Sequence, residues 1–337
     1  MKVARLHARG DIRLHAEPEP QPGPDEELVQ VTAVGLCGSD LHWFEDGGIG
    51  DATLSRPLVL GHEIGGVICS GPRQGTRVAI DPADPCGRCG VCLAGSAHLC
   101  ATLRFCGHST TDGGLRGRMA WPSRLLHPIP ASITDSDAPL LEPLGVVLHA
   151  VDLGRVTPGM SAGVYGAGPI GLLLIRLLAA IGVSPIVATD LLEHRLRAAM
   201  EMGASQALLA SPGLPAKDVA ARTWPEVDVA FETAGADDAV DTAIASVRPG
   251  GRVVLVGIPP SDHTSFSAST ARRKELTLLL SRRMTGADLP RAIRLVASGV
   301  VDLSSIVSAS YPLARSTEAF SSLVSRQGLK IVVEPSA

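Results

Sequence analysis

With 337 residues, the chain is long enough for two domains with hydrophobic cores, and its 45% hydrophobic and 19% charged content is typical of folded globular proteins. This composition excludes disordered and fibrous classes, and a net charge of −4 without a basic cluster argues against nucleic acid as a partner. No uncharged apolar run reaches the roughly 18 residues of a membrane span, so no membrane partner is expected. The N-terminus has no signal-peptide core, and we expect a cytoplasmic protein whose seven cysteines are reduced.

The first part of the chain, residues 1–148, alternates short apolar runs with glycine and proline and shows little helical periodicity. Residues 28–34 and 77–80 are two such runs. This pattern predicts a mostly-β domain of short strands and long loops.

Two glycine-rich motifs in this region offer metal ligands. The first places Cys37 before Ser39 and His42, and the second places His62 next to Glu63. A catalytic zinc takes three ligands from thiolate, imidazole and carboxylate groups and leaves a fourth position open. A single cysteine or histidine is more often an ordinary buried residue, but the two motifs together favour a metal site. Cys37 and His62 supply two ligands, and Glu63 or a later carboxylate supplies the third.

Four further cysteines follow the pattern Cys-x2-Cys-x2-Cys-x7-Cys in a segment with little apolar content. Such a segment cannot form a core, whereas four thiolates around one zinc can hold its shape. A zinc ribbon that binds nucleic acid is the competing interpretation, but the segment lacks the basic residues that this function needs. The predicted ligands of this closed, structural zinc site are Cys86, Cys89, Cys92 and Cys100.

From about residue 146 onward, predicted strands alternate with predicted helices. A glycine-rich turn between a strand and a helix, followed by Asp190 at 24 residues beyond its first glycine, is the arrangement of a dinucleotide-binding fold. The exposed amides of the helix N-terminus favour a pyrophosphate, and Asp190 favours NAD over NADP because it repels a 2′-phosphate. The predicted cofactor residues are Gly166, Gly168, Pro169, Ile170, Gly171, Asp190, Arg195, Gly235 and Gly257.

The alternation continues with predicted strands at residues 207–210, 227–232, 253–258 and 276–280. An amphipathic helix at residues 289–297 then begins a C-terminal segment. We therefore expect an α/β chain with a doubly wound parallel sheet in its second part.

The motifs Cys37-Gly-Ser-Asp-Leu-His42 and Gly-His62-Glu63 resemble those of the zinc-dependent medium-chain dehydrogenases, in particular the polyol branch that includes sorbitol dehydrogenase and L-idonate 5-dehydrogenase. The resemblance extends from residue 29 to residue 333. It implies a GroES-like catalytic domain at residues 1–148 with a structural zinc lobe at 84–102, and a Rossmann NAD-binding domain at 149–284. Residues 285–337 should return to the catalytic domain. Pairing of the last strand of the sheet with a second subunit implies a homodimer or homotetramer.

The same resemblance implies roles at the metal site. Glu142 stands where the polyol branch places a glutamate that faces the catalytic zinc, and whether Glu63 or Glu142 binds the metal directly stays open. Ser39 and His42 are expected to form a proton relay, and Arg195 is expected to pack by the adenine.

The resemblance implies that a secondary alcohol of a polyol or sugar acid is oxidised to the ketone with NAD and two zinc ions per chain. Trp43 replaces a tyrosine of the family, and Arg104 together with Arg282 or Arg283 is expected to bind a substrate carboxylate or hydroxyls, because arginine offers a planar set of donors. An aminocyclitol, threonine or a simple alcohol is an alternative substrate. A regulator that binds NAD without turnover is the alternative outside the enzymes.

Overall fold

The structure is a computed structural model, and it describes residues 1–211, 218, 226–260 and 263–336. The chain forms two compact units. The first consists of Met1–Gly145 and Met284–Ala337, and the second of Val146–Arg283. The first unit is therefore assembled from both ends of the sequence.

The described residues form strands and α-helices in both units. The strands are β1 (Lys2–Ala8), β2 (Asp11–Ala16), β3 (Glu26–Gly35), β4 (Gly48–Ile49), β5 (Ala52–Thr53), β6 (Glu63–Ile68), β7 (Arg77–Ile80), β8 (Ala83–Asp84), β9 (Arg104–Phe105), β10 (Arg118–Pro122), β11 (Leu126–Pro128), β12 (Ala162–Tyr165), β13 (Ile186–Asp190), β14 (Gln206–Leu209), β15 (Val227–Glu232), β16 (Val247–Leu255), β17 (Thr277–Leu280), β18 (Val307–Pro312) and β19 (Lys330–Glu334). The α-helices are α1 (Gly38–Asp46), α2 (Gly90–Leu93), α3 (Leu141–Leu153), α4 (Pro169–Ala180), α5 (Glu193–Glu201), α6 (Asp237–Ser246), α7 (Ala268–Arg273), α8 (Asp288–Ala297) and α9 (Ser316–Ser325). None of these described helices has both the length and the apolar character needed to cross a bilayer.

The first unit is built on a mainly antiparallel sheet with the strand order β11-β7-β6-β3-β19-β18, in which β10 also pairs with β3. Its core contains two aromatic side chains of α1, Trp43 and Phe44, and the ring of Phe44 lies 5.0 Å from that of Phe320 on α9. Strand β19 comes from the C-terminal segment and pairs with β3, so Val332 lies opposite Gly35. The first unit thus cannot form its full sheet without the C-terminal segment.

Helix α1 is the main element that the sequence analysis did not predict in this unit. It begins after Cys37, whose backbone N–H donates a hydrogen bond of 3.0 Å to Asp40 Oδ2. It ends at Gly47, where φ is +74° and the left-handed conformation favours glycine. Nine residues with a weak apolar stripe give little periodicity to detect, and the buried Trp43 and Phe44 hold the helix through tertiary packing.

The second unit contains a sheet with the order β14-β13-β12-β15-β16-β17, in which all neighbouring strands are parallel. The chain runs outward from β12 to β14 and then returns to β15 on the other side of β12. Ligands of such sheets bind outside the carboxyl ends of the strands, where the order reverses. Strand β17 lies at one edge, and its Leu280 is 79% exposed. The predicted α/β class with a doubly wound parallel sheet is confirmed.

Candidate functional site

The pairing of β3 with β6 brings the first group of predicted metal ligands together. Gly35 lies opposite Glu63 in this pair, Cys37 follows Gly35 by two residues, and His62 immediately precedes the strand. Ligand atoms of Cys37, His62 and Glu63 all lie within 4.8 Å of one another. A side chain at Gly35 would place its Cβ 2.1 Å from Glu63 Oε2, so only glycine leaves room for the carboxylate.

The orientation of the His62 ring is set by two neighbours. Its Nδ1 lies 3.6 Å from Asp40 Oδ1, and its Nε2 lies 3.4 Å from Ser39 Oγ. The buried Asp40 also accepts hydrogen bonds from the backbone amides of Cys37 and Gly61. Because Asp40 occupies the Nδ1 side, Nε2 is the nitrogen that can bind a metal. This role of Asp40 was not predicted from the sequence, although its position three residues after Cys37 in the cysteine motif could have indicated it.

Electrostatics at this group favour a cation. Burial opposes a charge on His62, but the Asp40 carboxylate and the Cys37 thiol outweigh it and raise the pKa of His62 well above its ordinary value. The same negative surroundings that favour a proton on the ring favour a metal ion between the ligands. The donor set of thiolate, imidazole and carboxylate is one that zinc binds. The residues present therefore fit a zinc ion.

Glu63 has a buried partner that the sequence analysis missed. Lys330 on β19 is 2% exposed, and its Nζ lies 2.6 Å from Glu63 Oε1. Burial opposes the charge of this lysine, but Glu63 and Cys37 raise the pKa of Lys330, so it is a cation at neutral pH. In the sequence, this pairing could have been suspected only from the presence of a lysine within an apolar run, at residues 329–333.

Glu142 lies on α3 and is 5% exposed. Burial raises the pKa of its carboxyl to about 8, with a further contribution from Glu63, while His62 acts in the opposite direction. Glu142 does not belong to the group of described ligand atoms within 4.8 Å. The geometry therefore favours Glu63 as the direct ligand and leaves Glu142 as a second acid beside it.

The two residues of the predicted relay lie on the same helix. Ser39 is at the start of α1 beside His62, and His42 is one turn further on, with its Nδ1 3.0 Å from Asp46 Oδ2. The His42 side chain is 22% exposed, so it can exchange a proton with water. A relay between these residues stays a prediction.

Arg104 is paired with an acid of its own segment, and its predicted role in binding substrate stays a prediction. Its guanidinium contacts Asp84 Oδ2 at 2.6 Å and lies 5.5 Å from the ring centroid of Trp121. Successive side chains of a strand point to opposite faces, and it is the next residue of β9, Phe105, whose ring lies 5.3 Å from that of His62. Phe105 is therefore the residue of this segment that adjoins the candidate metal site.

The side chain of Trp43 is 1% exposed and belongs to the core of the first unit. Its ring packs edge-on against His108 with centroids 5.3 Å apart. A contact of Trp43 with substrate stays a prediction. Arg282 and Arg283 are at the end of the second unit, directly before Met284, and their role in binding substrate stays a prediction.

The four remaining predicted ligands form a second group, in which all Sγ atoms lie within 4.8 Å of one another. The Sγ atoms of Cys89 and Cys92 lie 3.4 Å apart. Backbone hydrogen bonds from Arg88 and Cys89 lower the pKa of Cys86 to about 6, which favours the thiolate that a metal needs. Leu93 of the same segment is 75% exposed, so the segment has no core of its own. Four thiolates in this arrangement fit a closed zinc site.

The residues predicted to bind the dinucleotide lie together at the carboxyl edge of the parallel sheet. Gly166 has a φ of +111°, and a Cβ at Gly171 would lie 1.9 Å from Gly166 O, so both positions require glycine. Gly168 is the residue before α4, which begins with Pro169 and Ile170. Amides at this helix end point toward the space outside the sheet and can bind a phosphate.

Asp190 ends β13 and is 9% exposed. Its Oδ2 accepts a hydrogen bond of 2.7 Å from the amide of Ala167, and Arg195 Nη1 lies 3.8 Å away from the same oxygen. The carboxylate therefore touches the glycine-rich turn directly. A Cβ at Gly235 would lie 2.2 Å from Ile258 O, which explains glycine at that position after β15.

Two family models match separate parts of the chain. The family described as alcohol dehydrogenase GroES-like domain matches residues 23–131, and the family described as zinc-binding dehydrogenase matches residues 169–298. A sorbitol dehydrogenase of Bacillus subtilis is 33% identical to this chain over 99% of it and 97% of the relative. The chain belongs to the zinc-dependent medium-chain dehydrogenases. This membership confirms the predicted family and makes the protein an oxidoreductase.

Two solved structures show how far the likeness of this dehydrogenase extends. An L-idonate 5-dehydrogenase of Escherichia coli matches with a TM-score of 0.86 and 28% identity, over 99% of this chain and 97% of the other. An Escherichia coli alcohol dehydrogenase in complex with NADH matches with a TM-score of 0.90 and 26% identity, over 99% of both chains. The mostly-β GroES-like domain and the Rossmann-type sheet are thus those of the family.

Proposed function

We propose that this dehydrogenase oxidises a secondary alcohol of a polyol or sugar acid to the ketone, reversibly, with zinc and NAD. The observation that carries the proposal is the group of the half-buried Cys37 and the buried His62 and Glu63, in a chain whose Asp190 also contacts a glycine-rich turn. The names of the relatives, a sorbitol dehydrogenase and an L-idonate 5-dehydrogenase, support the substrate class.

Zinc would supply Lewis acidity that favours loss of the alcohol proton, and NAD would accept the hydride. The protein supplies orientation. Asp40 holds the His62 ring so that Nε2 faces the other ligands, and Lys330 fixes the Glu63 carboxylate. Ser39 beside His62 and His42 at the surface would pass the proton to solvent.

We assign catalysis to residues 1–148 and 285–337, and NAD binding to residues 149–284. A second zinc at the four cysteines would hold the lobe at residues 84–102, giving two zinc ions per chain. Strand β17, an edge strand with an exposed Leu280, supports assembly into a homodimer or homotetramer. A cytoplasmic location is part of the same proposal.

The contact of Arg104 with Asp84 removes one of the reasons to expect a substrate carboxylate. Neutral polyols are therefore the preferred substrates within the proposed class. The metal site has three polar side chains, Ser39, Glu63 and Glu142. A substrate with several hydroxyls can pair with them, whereas a simple alcohol leaves some of them unpaired, and each buried polar group without a partner costs about 1–3 kcal/mol.

NADH formation at 340 nm should be measured with sorbitol, xylitol, idonate, 2-propanol and cyclohexanol, using Cys37→Ser as the control for contaminating activity. We expect kcat/KM for polyols to exceed that for simple alcohols by about tenfold or more. Equal or better turnover of 2-propanol would contradict the polyol assignment. Stoichiometric NAD binding without turnover of any alcohol would contradict the enzyme assignment and favour a regulator.

A further inference from the structure

Glu232, at the carboxyl end of β15, is a buried acid that the sequence analysis did not assign. It is 1% exposed, and its Oε1 accepts hydrogen bonds from the backbone amides of Ala234 at 2.6 Å and Gly235 at 2.7 Å. Burial raises the pKa of Glu232, whereas hydrogen bonds from the amides of Gly235, Ala234, Ala236 and Gly257 act against that rise. The carboxylate thus binds two amides of the loop that follows β15, and its Oε2 lies beside Gly257 of the loop that follows β16.

These two loops are in backbone contact around the carboxylate. A Cβ at Gly257 would lie 2.2 Å from Gly235 N and 2.7 Å from Glu232 Oε2. The loop after β16 is also fixed by hydrogen bonds of the Val256 and Gly257 amides to the carbonyl of Glu232. There is no space for a side chain between the loops, and the Glu232 carboxylate packs against Gly257 where the two loops meet.

The next residue joins a third loop to the other two. Thr233 Oγ1 donates a hydrogen bond of 2.6 Å to the carbonyl of Gly166 in the glycine-rich turn after β12. The Thr233 amide donates to the carbonyl of Tyr165 at 2.9 Å. Glu232 and Thr233 together therefore connect the loops after β12, β15 and β16.

All three loops border the place where the strand order reverses, which is where such sheets bind a dinucleotide. Asp190 on β13 marks the half of the site that takes the adenosine ribose, so the loops after β15 and β16 lie on the nicotinamide side of the sheet. We propose that Glu232 is a positioning residue for the nicotinamide half of NAD, which acts through the backbone of Gly235 and Gly257 and is anchored to the glycine-rich turn by Thr233. The inference rests on the proposed NAD dependence.

The substitution Glu232→Gln tests the proposal because it keeps the shape of the side chain. The amide group of glutamine keeps one acceptor oxygen for the Ala234 and Gly235 amides, but its NH2 group replaces Oε2 beside Gly257, where it would meet a backbone N–H group, donor against donor. Titration with NADH, followed by fluorescence, should show a dissociation constant raised by about tenfold or more. Titration with AMP, a probe of the adenosine half alone, should change by less than about twofold.

Asp228→Asn is the matched control. Asp228 lies at the opposite end of the same strand, where its Oδ2 accepts hydrogen bonds of 2.9 Å from the amide and the hydroxyl of Ser161. This variant loses a comparable contact between a carboxylate and the backbone, but away from the cofactor edge. It should lower the melting temperature and leave the NADH dissociation constant unchanged.

A second pair of variants tests the anchor. Thr233→Val removes the hydroxyl but keeps the branched shape, and it should weaken NADH binding, whereas Thr233→Ser keeps the donor and should restore most of the affinity. Equal NADH affinity in the Val and Ser variants would contradict the role of the Thr233 hydroxyl in anchoring the loop to the glycine-rich turn.

The proposal is overturned if folded Glu232→Gln binds NADH as tightly as the wild type, or if the substitution weakens the binding of AMP and of NADH equally. Should Glu232→Gln fail to fold, the comparison of Thr233→Val with Thr233→Ser decides the proposal. A wild-type protein that binds no NADH contradicts the proposed function itself, which separates that failure from a failure of the Glu232 inference.

Discussion

Lys330 Nζ lies 2.6 Å from Glu63 Oε1, and both side chains are almost completely buried. Each group compensates a charge that would otherwise be isolated in the interior. Loss of one partner of such a pair is more damaging than loss of both, because it leaves an unpaired buried charge. The pair therefore connects the stability of the first unit with the state of a predicted metal ligand.

Lys330→Met should lower the free energy of unfolding of the metal-free protein by about 3–5 kcal/mol, measured by urea denaturation. The double variant Glu63→Gln/Lys330→Met should lose less than the single variant. Saturating zinc should recover part of the loss in Lys330→Met, because the metal binds only the folded state and offers Glu63 a cation. A single variant as stable as the wild type would contradict the importance of the pair.

Substitutions in the two predicted metal sites should have different effects on turnover and stability. Cys86→Ser should lower zinc content from two to one per chain and reduce the melting temperature, while the protein that remains folded keeps turnover. Cys37→Ser should abolish turnover and retain the stability contributed by the four-cysteine group. Metal analysis by mass spectrometry, thermal melts and NADH formation test this. Loss of turnover in stably folded Cys86→Ser would show that the four-cysteine group is not merely structural.

Asp190→Ser should weaken NADH binding and improve the relative use of NADPH. The substitution removes an acceptor for ribose hydroxyls and a negative charge that repels a 2′-phosphate, and Arg195, 3.8 Å from the carboxylate, would then favour the phosphate. We expect the ratio of kcat/KM for NADP to that for NAD to rise by about tenfold. Adding Arg195→Ala should cancel most of that gain. A wild type that already prefers NADP would contradict the assignment of Asp190.

Asp81 should give the folded protein a measurable pH dependence. It is 5% exposed, and burial raises the pKa of its carboxyl to about 6 from an ordinary value of 3.8. Between these values the folded state keeps a proton that the unfolded state has lost, so the stability falls as the pH rises through this window. Relative to Asp81→Asn, the wild type should lose about 1–2 kcal/mol between about pH 5 and 7.5, measured by denaturation. A difference independent of pH would contradict the raised pKa.

The strands and site residues that could be predicted from the sequence are those marked by a pattern of residues close together in the chain. Parallel strands that are buried on both faces give mostly apolar runs, and this made β15 recognisable. Cys37 and His62 lie in short glycine motifs, and the spacing of the four cysteines is itself diagnostic of metal binding.

What the sequence did not predict depends on contacts between distant segments. Lys330 meets Glu63 across 267 residues, and no local pattern indicates that pairing. The direction of the Arg104 side chain also depends on such a contact. It is set by β9, a strand of two residues, and the contact of Arg104 with Asp84 across 20 residues has no local sequence pattern. Burial patterns need longer strands than this to show alternation.

The discontinuous first unit has a consequence for biosynthesis. Glu63 leaves the ribosome with its neighbours Cys37 and His62, but Lys330 follows 267 residues later, after the whole second unit has been made. At typical translation rates the delay is roughly 15–50 s. During that interval the edge of β3 that will receive β19 is open and the Glu63 carboxylate has no lysine, so the contiguous second unit can fold first and the metal-binding unit closes last.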